Sequence, residues 1–108
     1  MIVFAIWPMV LALAFMVIIP LCATGVIKAN RFVGIRWPIL RSSEAAWERG
    51  HRAAIVPTFV GGALAIVAAI IGIVIDANSA IGVIVSFVFL LSGFGLASAL
   101  AQKAAAGN

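Results

Sequence analysis

Residues 53–75 read AAIVPTFVGGALAIVAAIIGIVI, a run without a single Asp, Glu, Lys, Arg or His. Crossing about 30 Å of hydrocarbon takes roughly 20 apolar residues at 1.5 Å each, so this run is long enough to span a bilayer as a helix. Inside the bilayer only the chain itself can satisfy backbone N–H and C=O groups, which at this length leaves the α-helix. The same test picks out 1–27 and 77–102, which also lack all five residue types. The expected fold is therefore all-α and integral to a membrane. A single membrane domain, 1–108, has transmembrane helices over 2–27, 53–75 and 79–101. A short interfacial amphipathic helix is expected in the first loop, 28–52.

Composition agrees, since 66% of residues are hydrophobic and the mean hydropathy is +1.30, where soluble chains are about half apolar. A cleaved signal peptide fits 1–27 poorly, because the positively charged start is missing and the apolar core is too long. The lone Cys22 follows Leu21 rather than the small residue of a lipoprotein site, has no partner for an internal disulfide, and reads as a small apolar side chain.

Charge orients the spans. Six of the seven basic residues (Lys28, Arg31, Arg36, Arg41, Arg49, Arg52) lie in 28–52, whereas the connection around Asp76, Asn78 and Ser79 has none. Positive charge resists translocation, so the first loop is expected in the cytoplasm of a bacterial cell with the N-terminus outside. Lys103 then returns the C-terminus to the cytoplasm. Losing Arg41 alone leaves five basic residues to hold this orientation. The tail 104–108 is expected to fray.

Pro20 and Pro57 sit at corresponding depths of the first two spans, and Gly61-Gly62 follows Pro57 closely. Two bends there would open a cleft toward the basic loop; equally, membrane helices often tolerate proline without consequence. Small residues recur every four positions, as Gly61, Ala65 and Ala69 and as Gly93, Ala97 and Ala101, with Gly82 and Ser86 nearer the start of the third span. Such faces let helix backbones approach closely where lipid provides no hydrophobic force. They suit packing within one chain first and a homo-oligomer second.

The loop itself reads Asn30-Arg31-Phe32-Val33-Gly34-Ile35-Arg36-Trp37-Pro38, then Ser42-Ser43-Glu44-Ala45-Ala46-Trp47-Glu48-Arg49-Gly50-His51-Arg52. Its interleaved aromatic and basic residues suit a headgroup layer. Ser42 or Ser43 is placed to cap a helix with Glu44 in its first turn. On that helix Trp47, His51 and Ala54 share a face, while Glu48, Arg49 and Arg52 lie opposite, with Glu48 and Arg52 spaced for an ion pair. Gly34 marks a tight turn or a close backbone contact, and Trp37-Pro38 an extended exit from it. Arg36, between apolar neighbours, is the basic residue best placed to hold a phosphate, a carboxylate or the carbonyl end of a helix. The alternative is that all six basic residues only set topology and touch anionic lipid headgroups.

Asn30, Gly34-Ile35-Arg36, Pro38, Ser43, Trp47 and Gly50-His51-Arg52, set between one helix and a helical hairpin, resemble the SdpI family of bacterial membrane proteins. The likeness covers nearly the whole chain, and its specific part is about as long as the loop. The resemblance implies an immunity protein, which protects a toxin-producing cell from its own secreted, membrane-damaging peptide. The best-known member also holds a transcription repressor at the membrane. It implies a binding role for the motif residues Asn30, Gly34, Ile35, Arg36, Pro38, Ser43, Trp47, His51 and Arg52. This chain departs from the longer members in having only the three-helix unit, and in carrying Trp37, Ile39 and Leu40 where a more polar, Thr-containing run is expected.

Three classes of function were open to this sequence. A non-catalytic immunity, resistance or envelope-stress factor would act through the loop on a toxin peptide. An accessory subunit would pack its Gly/Ala faces against a larger envelope complex. Catalysis or transport is disfavoured: His51 and Glu44 lie two turns apart on one face, within reach of sharing a proton, yet no nucleophile–base pair, metal cluster or phosphate-cradling glycine loop accompanies them. No charge lies within a span to mark an ion pathway. No cofactor or metal is expected. Nucleic-acid binding is excluded as the reason for a pI near 10.8, because topology accounts for the basic residues.

Overall fold

The computed structural model describes residues 2–107. Its helices are α1 (Ile2–Ala23), α2 (Glu44–Asp76) and α3 (Ile81–Ala105), with one turn of 3-10 helix at Leu40–Ser42. All three α-helices are long and apolar enough to cross a membrane, and no strand occurs among the described residues. Large apolar side chains cover their outer surfaces, among them Phe4, Trp7, Val60, Ile71, Ile84 and Leu91. Water would penalise that surface, whereas hydrocarbon does not.

The 33 residues of α2 rise about 50 Å, well beyond the roughly 30 Å of a hydrocarbon layer. Its first turns, carrying Glu44 to Arg52, extend past the uncharged span. The amphipathic helix expected in the first loop, leading into the second span, is this extension, continuous with that span. Ser43 caps it, accepting a hydrogen bond from the Ala46 N–H at 3.0 Å. α1 ends at Ala23, four residues short of the uncharged run, because Gly25 adopts φ +81°. A residue in the left-handed region stops a helix whatever its hydropathy. Pro8, Pro20 and Pro57 all lie inside continuous helices.

α2 is the central helix, packed on α1 and on α3, which touch each other little. Its paired glycines divide the work: a Cβ on Gly61 would lie 2.7 Å from the Gly93 Cα of α3, and one on Gly62 would lie 2.9 Å from the Met16 sulfur of α1. Gly72 and Gly82 repeat the backbone contact near the other end of the hairpin, again at 2.7 Å. Ala65, Ala69 and Ala97 are buried in the same helix contacts. Ser86 Oγ donates to the Ala65 carbonyl at 2.6 Å. The small-residue faces are thus used within the chain.

α3 does not fray from residue 104. It continues to Ala105 because the Arg49 guanidinium donates to the Ala104 carbonyl at 3.0 Å and the Ala105 carbonyl at 2.9 Å. A cation on the carbonyls at a helix C-terminus favours the last turn. Asn108, the rest of that tail, lies outside the described residues.

Candidate functional site

The first turns of α2 present Glu44, Trp47 and His51 at helical spacing i, i+3, i+7, and the loop from α1 is fastened to that stripe at three points. The Glu44 carboxylate accepts from the Ala29 N–H, both oxygens at 3.3 Å. Trp47 Nε1–H donates to the Ile27 carbonyl at 2.9 Å. The Ile35 N–H donates to His51 Nε2 at 2.9 Å. Between these points Asn30 folds the chain on itself, its Oδ1 accepting from Phe32 and Val33 N–H groups at 2.8 Å and its amide donating to the Lys28 carbonyl at 2.7 Å.

Gly34 is fixed twice over. Its φ of +98° is one that side chains rarely adopt, and a Cβ there would lie 3.0 Å from Cys22 Sγ, His51 Nε2 and Trp47 Cη2 alike. Both expected uses of this glycine, turn and close contact, are present together. Cys22, Trp47 and His51 are fully buried beneath it, and Ile35 points inward at 2% exposure.

His51 uses both ring nitrogens. With Nε2 accepting from Ile35, the proton resides on Nδ1, which donates to the Trp47 carbonyl at 2.7 Å. The ring lies two residues outside the uncharged span, and burial lowers its pKa below the usual 6.5 against an opposing pull from the Trp47 carbonyl. A neutral imidazole that accepts one backbone hydrogen bond and donates another is a structural strut. The proton exchange with Glu44 suggested by their shared face is not set up, since Glu44 is engaged by Ala29. Glu48 and Arg52 form no ion pair among the described residues. Glu48 instead lies against Gly25.

Because residue 35 turns in, residue 36 turns out. Arg36 is exposed and donates through Nη1 to the Arg31 carbonyl at 3.0 Å. Arg31, Arg36 and Arg41 together border a groove of about 510 Å³ completed by Gly34, Ile35, Trp37 and Phe94. No carboxylate lines it among the described residues. Trp37 anchors one side, its indole N–H donating to Ser98 Oγ on α3. The Trp37 carbonyl accepts from the N–H groups of Leu40 and Arg41, a turn with Pro38 in the position where its fixed φ is favoured. Leu40 is then buried against Gly50.

Most of the motif residues therefore build one object, but in different capacities. Asn30, Gly34, Ile35, Pro38, Ser43, Trp47 and His51 shape and hold the loop, and Arg36 faces out from it. Arg52 is exposed and does not line the groove. The helix-end role foreseen for Arg36 belongs to Arg49. Arg31 and Arg41, read from sequence as topology signals, are brought to the groove, as is Phe94, while Ser98 accepts from the Trp37 indole; neither α3 residue carries a sequence signal, because its participation depends on where α3 crosses the loop. Among the described residues no three of His, Cys, Asp and Glu gather.

No curated protein and no solved structure matches the chain. The model of the SdpI/YfhL protein family matches residues 26–99, which takes in the whole loop, all of α2 and most of α3. The loop locked on Trp47 and His51 lies entirely inside that match, and this multi-pass membrane chain belongs to the SdpI/YfhL protein family.

Proposed function

We propose that the protein is a non-catalytic immunity or resistance factor of the bacterial inner membrane that works through its arginine-lined loop on the cytoplasmic side. The observation that carries this reading is the pairing of a rigid scaffold with an open cationic face: Gly34, Trp47 and His51 hold the loop, and Arg36, held by one hydrogen bond from Nη1 to the Arg31 carbonyl, stays exposed to engage an anionic group. A guanidinium recognises carboxylate or phosphate oxygens in a fixed geometry. Preorganisation removes the ordering cost that a flexible basic loop would have to meet on binding.

Protection without turnover is the expected signature. Cells lacking the gene should be more sensitive to a membrane-active peptide made by their own or a neighbouring strain, and Arg36→Ala should restore no protection at normal protein levels. Equal sensitivity of deleted and complemented cells across such peptides would remove the immunity reading.

A second reading, an accessory subunit of a larger envelope complex, draws on a different surface. Two apolar grooves of about 540 and 440 Å³ lie along α2 and α3 and share Leu64 and Phe89. That reading predicts co-purification with a larger membrane protein in gentle detergent, and a solitary monomer in native mass spectrometry counts against it.

A further inference from the structure

We propose that the groove between Arg31, Arg36 and Arg41 is a discrete site for the phosphate of one anionic phospholipid. This rests on the reading of the loop as the working surface and names the ligand class it takes. Arg31, Arg36 and Arg41 border the groove with no carboxylate among the lining residues, so the local charge is unbalanced and selects an anion. The volume, about 510 Å³, lies within the range of small-molecule sites.

The remaining lining separates a lipid from a free anion. Trp37 and Phe94 give the groove an apolar side, and Phe94 belongs to α3, where its ring stands 5.0 Å from Phe15 of α1. The apolar wall thus continues from the arginines onto two membrane helices. Inorganic phosphate has nothing to place there, whereas a phospholipid has acyl chains. A headgroup that adds its own cation, as in phosphatidylcholine, would meet the arginines unfavourably.

The test is native mass spectrometry of the full chain in a neutral detergent, titrated with phosphatidylglycerol or phosphatidylcholine of matched chains. Phosphatidylglycerol should saturate at one molecule per chain and bind about 10-fold tighter than phosphatidylcholine, the scale of one charge-assisted hydrogen bond. Arg36→Gln should weaken it about 10-fold, and Arg31→Gln or Arg41→Gln severalfold. Lys28→Gln, an exposed charge at the same end of the molecule but outside the groove, should change little. Protection of Cys22 from maleimide in each variant confirms that the loop is still docked.

Non-saturating lipid uptake, equal losses for Lys28→Gln and Arg36→Gln, or displacement of the lipid by millimolar inorganic phosphate would each overturn the site. Failure here is distinguishable from failure of the immunity reading. A chain that binds one phosphatidylglycerol yet protects no cell retains the lipid site, and a protective chain that takes no lipid retains immunity alone.

Discussion

The two ends of α2 are held by different kinds of contact. At its start, large and polar side chains interlock: Trp47, His51 and Leu40 are fully buried, and each backbone hydrogen bond across the loop goes to a specific partner. Within the span, glycine meets glycine and buried alanines line the crossings, with Ser86 to Ala65 the single side-chain hydrogen bond between spans among the described residues. Lipid chains are as apolar as leucine, so close backbone approach must do in the span what specific shape does in the loop. Substitution should therefore be most damaging where shape and backbone conformation coincide. Gly34→Val combines a forbidden φ with three contacts at 3.0 Å, and should cost about 3 kcal/mol or more in loop docking. Cys22, buried beneath Gly34, reports the result: a maleimide that spares the parent chain should label the variant readily. Continued protection of Cys22 would show that the loop does not depend on this seat.

In the span, Gly61→Val places a branched side chain where the Gly93 Cα lies 2.7 Å from the first added carbon. Overpacking of this kind costs about 2 kcal/mol and should lower the thermal midpoint in detergent. Gly95→Val on α3 is the matched control, because nothing lies within 4 Å of its added Cβ. Equal effects from the two would mean that the crossing is not what holds the hairpin.

The loop should also be the acid-sensitive region. His51 has a folded pKa below 6.5 because the ring is buried, and its Nε2 must stay unprotonated to accept from Ile35. The unfolded chain therefore takes up a proton first as pH falls. This contribution to stability is present above pH 6.5 and is lost as pH drops below that value toward the folded pKa. The thermal midpoint should fall on acidification through that window, and His51→Gln, which cannot titrate, should flatten this part of the profile. An unchanged acid limb in His51→Gln would assign it to the carboxylates instead.

The difference between the two regions also sets what the sequence discloses. Spans follow from uncharged length, and their number is legible because no other residue pattern survives in hydrocarbon. The stripe Trp47, His51, Ala54 follows from helical periodicity, and a turn or close contact at Gly34 from the conformational freedom of glycine. What periodicity does not supply is the partner. Glu44 and His51 share a face, which suggested exchange between them, yet each is taken by a backbone group of the incoming loop, at Ala29 and Ile35. Arg49 is indistinguishable by spacing from Arg52, and only the position of the α3 terminus makes one a cap and leaves the other exposed. Helix ends escaped for a related reason: charge marks where a span must stop, whereas Gly25 stops α1 earlier.

The smallest expected effect is Ser86→Ala. The Ser86 hydroxyl donates to the Ala65 carbonyl at 2.6 Å, but that carbonyl lies inside α2, where the helix supplies its own donor. Removing the hydroxyl therefore leaves no orphaned acceptor, and the small side chain that remains still permits the close approach. Interhelical hydrogen bonds in membranes average about 0.6 kcal/mol, so the thermal midpoint should shift by only about three degrees for a domain of this size. A loss above about 2 kcal/mol would make the span depend on specific polar partners as the loop does. The contrast between a span packed by small residues and a loop packed by particular ones would then no longer hold.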